Sequence, residues 1–186
     1  MKEVFNKIFL IKGYCNTYYV DDEVKVLIDA GSDVKKPVDL LILTHLHPDH
    51  AFFAQKIKER TDCKILISEE DNKIQLLLKY FPEWDGKKIE FFKPDKLLEN
   101  GSIIRTGKYS FRVIHAPGHT LGSACLFEPV HKILFSGDVL FADGFIGRTD
   151  LPHSSPEKMK TTLEELKKID YKILLPGHGR IVKKDL

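Results

Sequence analysis

Short apolar runs recur along this chain, and four of them end almost at once in a side chain able to hold a metal. DLLI leads into LTHLHPDH (residues 43–50), which packs three histidines and an aspartate into six positions. YSFRVIH leads into APGHT with His119, KILF into SGDV with Asp138, and YKILL into PGHG with His178. Runs of this length, rich in Val, Ile, Leu, Phe and Tyr and bounded by Gly, Pro and Asp, read as buried strands. Strand ends on one side of a layered fold converge, so ligands as far apart in sequence as 45 and 178 can meet.

The remaining pattern fits that architecture. KIFLI, NTYYV, VKVLIDAG and DLLILTH read as strands, followed by a helix over 51–60, the strand CKILIS and a second helix over 69–80 stopped by Pro82 and Gly86. The second half offers the strands IEFFK, SIIRTG, YSFRVIHAP, SACLFEP and KILFSGD, then the loop ADGFIGRTDLPHSS and a helix over 156–168. Ser155 is its expected N-cap, with Pro156 at the first helical position. The strand YKILLPGHG comes last. Many short strands with helices in two separate places predict an α/β fold, two sheets packed face to face and covered by helices. With 186 residues, no internal repeat and no Ser/Gly linker, residues 1–186 are expected to form a single domain.

Composition removes several alternatives. The formal net charge of +2 is too small to imply a nucleic-acid partner. No apolar run approaches the roughly 18–20 residues needed to span a bilayer, and the N-terminus has no signal-peptide pattern. Cys15, Cys63 and Cys125 are odd in number and far apart, which argues against a disulfide framework and for a reducing cytoplasm. Oligomeric state has no signature in the sequence.

The ligand set divides into two groups. A strand carried through His47 would put His45 and His47 on one face, with Asp49 and His50 entering the same space from the start of the following helix. His45, His47 and His119 are then placed to bind one ion, and Asp49, His50 and His178 a second. Asp138 has two carboxylate oxygens and can bridge them. Imidazole and carboxylate suit zinc first and iron as an alternative, and disfavour magnesium and calcium, which prefer all-oxygen shells. Two such ions about 3.5–4 Å apart can generate a hydroxide nucleophile at neutral pH.

HLHPDH followed by His119, Asp138 and His178 resembles the HxHxDH signature and ligand order of the metallo-β-lactamase superfamily, over nearly the whole chain from NTYYV and LIDAG to LPGHG. The resemblance implies an αββα sandwich with a dinuclear site at one edge. It assigns ligand roles to His45, His47, Asp49, His50, His119, Asp138 and His178, and makes Asp49 the catalytic residue that orients or deprotonates the nucleophile. APGHTLGS, FSGDVLF and GRTDLP are similar to landmarks of the short glyoxalase II-like branch, which implies hydrolysis of a small-molecule thioester or ester such as S-lactoylglutathione.

Full-length glyoxalase II continues into a helical domain that holds glutathione, whereas eight residues follow His178 here, so poor glutathione selectivity is expected. Phe52-Phe53 replaces the small residue that many relatives carry after the motif; the rings are expected in the core, or one of them narrowing the site mouth. Asp29 in LIDAG resembles a carboxylate that supports a ligand histidine, or serves as a turn residue. Arg148 either meets an anionic substrate or pins its loop, and His153 is expected at the pocket edge. His131 reads as a turn residue and His115 as an outer contact at most. Two rival activities resemble the same motifs. A persulfide dioxygenase uses a single iron and would carry FQ-type residues where Leu151-Pro152 stands. A lactonase would place a tyrosine near Phe141, whose ring cannot donate a hydrogen bond.

Overall fold

A computed structural model describes residues 1–73, 81 and 92–184. The first sheet has seven strands in sequential order: β1 (Lys2–Phe5), β2 (Ile8–Lys12), β3 (Asn16–Val20), β4 (Val26–Ile28), β5 (Leu40–Ile42), β6 (Lys64–Ile67) and β7 (Lys96–Leu97). It is antiparallel from β1 to β4 and parallel from β4 to β7. The second sheet has six, in the order β13 (Val182–Lys183), β12 (Ile173–Pro176), β11 (Ile133–Gly137), β10 (Ala124–Glu128), β9 (Ser110–His115) and β8 (Ile103–Arg105). Only β11 and β12 run parallel there.

Side-chain alternation along these strands builds the layers. Val26 and Ile28 of β4 join Ile42, Phe111, Leu126, Phe135 and Leu175 in the core between the sheets. Leu27, between them, faces the opposite side with Leu41 and Ile65, against Ala51, Ala54 and Ile57 of the first helical segment. On the far side of the second sheet, Cys125, Leu134 and Leu174 pack against Met159 and Leu166 of α3 (Pro156–Leu166). The order is therefore helix, sheet, sheet, helix, as the sequence predicts. Ser155 caps α3, its hydroxyl accepting from the Lys158 amide, with Pro156 in the first turn.

Several element boundaries differ from the sequence reading. The expected helix over 51–60 starts earlier and in two pieces, α1 (Pro48–Ala51) and α2 (Ala54–Thr61), broken at Phe52-Phe53. Strand β5 stops at Ile42 and does not run through His47. The expected helix over 69–80 lies outside the described residues except for 69–73, where 69–71 form a turn. IEFFK is likewise outside them apart from Phe92 and Lys93, which are in neither helix nor strand. β1 has no counterpart in the sequence reading. It pairs with β2 through a two-residue turn in which Asn6 and Lys7 both have positive φ, the geometry that matches hairpin twist, although Lys is an unusual residue for it.

The buried aromatic contacts between the sheets hold the layers together. Phe135 is 1% exposed and meets Tyr18 and Phe111 edge-on at 5.4 and 5.6 Å. Phe135→Ala should lower unfolding free energy by about 3–5 kcal/mol in denaturant titrations. Phe145→Ala, at a ring 71% exposed, should stay within about 0.5 kcal/mol.

Candidate metal centre

The parallel pairs β4–β5 and β11–β12 bring four carboxyl-terminal strand ends to one edge of the sandwich, and the loops after them carry most of the site. Asp29 follows β4, the 43–50 segment follows β5, Asp138 follows β11 and His178 lies two residues beyond β12. Backbone bonds join the sheets at this edge. Ala124 N donates to Thr44 O at 2.9 Å, and Asn16 N donates to Gly177 O at 2.7 Å. His45 and His47 thus come together with His119 through a loop held by the opposite sheet, not through strand alternation.

Four sets of donor atoms, each set within 4.8 Å, occupy this edge: His45, His47 and His119; His45, His50 and Asp138; Asp49, His50 and His178; and Cys15, Asp29 and His50. Asp138 joins the first and third sets. Its Oδ1 lies 3.2 Å from His50 Nε2, and its Oδ2 lies 3.6 Å from His119 Nε2 and 3.4 Å from His178 Nε2. Asp49 Oδ2 is 3.0 Å from His178 Nε2. All seven residues singled out as ligands in the sequence therefore share one cluster.

A cation fits this cluster on a direct observation. His45 Nε2, His47 Nε2 and Asp138 Oδ1 are buried and have no hydrogen-bond partner among the described residues. An unsatisfied buried polar atom costs about 1–3 kcal/mol, and His45 and Asp138 belong to one donor set that a single cation would satisfy, while His47 turns Nδ1 to within 2.9 Å of His119 Nε2. Burial drives the His45 ring well below the usual histidine range and the His47 ring to about 3, and it lowers His119, so all three present neutral nitrogens. Burial would raise Asp49 and Asp138, but His50, with His178, outweighs it and holds both carboxyls below the usual range. Neutral imidazoles and ionised carboxylates are the forms that bind a metal. His50 carries the opposing balance: burial disfavours its charge, but Cys15 and the Asp138, Asp29 and Asp49 carboxylates hold its pKa well above the usual range.

Outer contacts fix which nitrogen each ring presents. His50 Nδ1 is 2.8 Å from Asp29 Oδ2, leaving Nε2 toward Asp138. Thr44 Oγ1 lies 3.0 Å from both Asp29 oxygens and 3.1 Å from His45 Nδ1, so the same carboxylate orients His45 through a hydroxyl. Asp29 itself has a φ of 63°, a left-handed conformation that aspartate tolerates better than most residues. His119 Nδ1 is 2.9 Å from the Arg148 carbonyl oxygen. Arg148 thus contributes its main chain here, while its guanidinium forms two 2.9 Å bonds to Asp150. A Cβ at Gly147 would lie 1.9 Å from Asp138 O, and one at Gly177 would lie 2.2 Å from Asp138 Oδ1. Both positions need glycine for backbone to pass beside the ligands.

The other singled-out residues lie further out. Phe52 is half-buried, edge-on to Tyr14 at 5.0 Å and to Phe53 at 4.9 Å. Phe53 packs on the helix-side core. His153 borders a small hollow with Asp71, Thr120 and His47. His131 sits in a turn, 3.0 Å from Glu128, and His115 Nε2 is 2.9 Å from Leu121 O. Neither touches the cluster.

Asp71, Thr44 and Cys15 were not singled out in the sequence. Buried Asp71 accepts from Leu46 N at 2.9 Å, Thr120 Oγ1 at 2.8 Å and Gly122 N at 2.9 Å. It ties the loop carrying His45 and His47 to the loop carrying His119. The phrase SEED gives no hint of this, because the partners, two backbone amides and the Thr120 hydroxyl, are distant in sequence. Asp71→Ala should release bound metal roughly 10–100-fold more readily in chelator competition, with Thr120→Val giving a smaller change in the same direction.

Comparison with known proteins agrees with this geometry. Residues 10–178 match the family model described as the metallo-beta-lactamase superfamily. The chain is similar to hydroxyacylglutathione hydrolase GloC of Haemophilus influenzae, at 31% identity over 89% of this chain and 84% of that protein. Among solved structures it is similar to the B3 metallo-beta-lactamase BLEG-1, with a TM-score of 0.80, 26% identity and coverage of 96% and 93%. It is also similar to TTHA1623 in a di-iron-bound form, with a TM-score of 0.77, 27% identity and coverage of 97% and 94%. With its strand-end histidines and aspartates, its four-layer architecture and a family match from residue 10 to residue 178, this chain belongs to the metallo-beta-lactamase superfamily.

Proposed function

We propose that this metallo-hydrolase carries two transition-metal ions, zinc or iron, and cleaves small-molecule acyl thioesters. The observation that carries the reading is Asp138, whose two oxygens face both donor sets beside an open cavity of about 670 Å³. His45, His47 and His119 would hold one ion and Asp49, His50 and His178 the other, with Asp138 shared. When bound, the ions supply a Lewis acid and lower the pKa of water enough to make it a nucleophile at neutral pH.

The chain's own groups do the rest. Asp49 borders the cavity, and its carboxyl is held ionised by His50 and His178, so it can accept a hydrogen bond from an attacking water and orient it. Asp29 keeps His50 from turning, and the Arg148 carbonyl does the same for His119. The name of the Haemophilus relative, a hydroxyacylglutathione hydrolase, supports a thioester substrate, and the di-iron-bound form of TTHA1623 supports two ions. Phe141 borders the cavity without a hydroxyl, which gives a lactonase reading no support.

Elemental analysis of metal-loaded protein should approach two ions per chain, and His178→Ala should retain about one. A ceiling of one in the parent protein, unchanged by His178→Ala, would refute the dinuclear assignment.

Asp138→Ala should lower kcat/KM for a simple acyl thioester at least about a thousandfold, roughly 4 kcal/mol of lost transition-state stabilisation, with loss or misplacement of both ions. Full activity at full metal content would mean that another residue bridges. Oxygen consumption with a persulfide, and no thioester cleavage, would replace this reading with a dioxygenase.

A further inference from the structure

We infer that the site selects thioesters by a bulky apolar acyl group, which packs on a wall formed by Tyr14, Phe81, Phe141, Ile146 and Leu151. The inference rests on the thioesterase reading and names the substrate class for that same site.

The wall comes from separate parts of the chain that converge on the metal cluster. The cavity is bordered both by His47, Asp49, His119 and Asp138 and by these five side chains. Phe81 lies edge-on to the His47 ring at 4.7 Å, and Phe141 approaches His178 at 6.3 Å. Tyr14 is braced by Phe52 at 5.0 Å and stacked on Phe53 at 6.1 Å. The 140–146 turn is held by the bridge between Leu140 and Ile146 and by Phe141 N donating to Phe145 O at 2.7 Å. Its backbone is therefore fixed, yet it leaves Ile146 42% exposed; Tyr14, which also borders the cavity, is 45% exposed. Large apolar side chains standing in water beside a reaction centre gain free energy when a ligand covers them.

Charge points the same way. Arg148 is the one Lys or Arg among the described cavity-lining residues, and Asp150 already offsets its charge through two bonds to the guanidinium. Glutathione and coenzyme A present several negative charges, and this described lining has little to offer them. An uncharged hydrocarbon meets a complementary surface instead. In the reaction the carbonyl carbon gains a bond to water oxygen and loses its bond to sulfur. The water's protons pass to the thiolate and to solvent, and no redox partner is needed. The apolar wall changes none of these steps; it positions the carbonyl by anchoring the chain attached to it.

The test uses the metal-loaded full chain and N-acetylcysteamine thioesters with acetyl, butanoyl, hexanoyl and octanoyl groups. From acetyl to hexanoyl kcat/KM should rise about tenfold or more, since each fully buried methylene is worth roughly fourfold. The Tyr14→Ala and Ile146→Ser variants should each lower the hexanoyl-to-acetyl ratio. The matching S-alkyl thioethers, which cannot be hydrolysed, should bind more tightly as the alkyl chain grows. Hydrolysis of the acetyl thioester with a flat or falling profile would overturn the apolar wall and leave the thioesterase reading standing. Absence of hydrolysis for every thioester, with chain-length-dependent thioether binding intact, would overturn the thioesterase reading and keep the wall. Thioether binding indifferent to chain length would overturn the wall by itself.

Discussion

The carboxylate of Asp29 is the contact on which both donor sets depend. One oxygen meets His50 Nδ1, and both meet the Thr44 hydroxyl, which in turn meets His45 Nδ1. The Thr44 amide also donates to it, at 2.8 Å. One buried group therefore sets the orientation of a histidine in each donor set and pins the loop between them. It does so from the end of β4, next to β5, so the parallel pairing of those strands fixes its distance from the 43–50 segment. The left-handed backbone at Asp29 is a small local cost, of order 1 kcal/mol, that these bonds over-determine.

What was legible in the sequence followed from rules that act locally. Alternation along VLI and the apolar runs of β11 and β12 identified buried strands, and Ser155-Pro156 identified a helix start. The ligands were legible because histidine and aspartate beside Gly or Pro at a strand end have little other use in a core. Other features depend on groups that carry no side-chain signature. The orientation of His119 comes from the carbonyl of Arg148, and any residue has a carbonyl there. The Asp71 clamp reads as an ordinary acidic turn, since its partners are two amides and a threonine hydroxyl contributed by two other loops. Strand β1 was missed because Asn-Lys is a poor hairpin signal, and the helix break because Phe52-Phe53 interrupts without Gly or Pro. The periodicity of DLLILTH suggested a strand up to the ligands, but pairing with β6 ends at Ile42, and a tertiary bond to Ala124 takes over.

The electrostatics of the cluster explain why its residues tolerate one another. Neutral histidines at 45, 47 and 119 and ionised carboxylates at 49 and 138 give a group with net negative charge and inward-facing lone pairs. The carboxylates draw protons toward His50 and His178, and the buried His45 Nε2 and His47 Nε2 have no hydrogen-bond partner among the described residues. A bound cation would offset this arrangement and so couple metal binding to folding stability. The cost of assembling these groups is tolerable because they sit at the sandwich edge, while the core between the sheets stays apolar.

The two donor sets are not equivalent, and the difference bears on chemistry. His45, His47 and His119 are all buried, held from behind by Thr44, by the Arg148 carbonyl and by the Asp71 clamp. In the other set, the side chains of Asp49 and His178 are 26% and 39% exposed. A closed set of three rigid imidazoles favours retention of an ion, whereas a set reached by water through two of its members leaves room for exchange and for an incoming oxygen. Asp138 spans the two and is itself nearly buried, so it transmits the rigidity of the first set to the second. The exposed set also contains Asp49, whose carboxylate borders the cavity. On the proposed reading, water entry and orientation of the nucleophile would share this open side, and the buried histidines would anchor the metal on the other set.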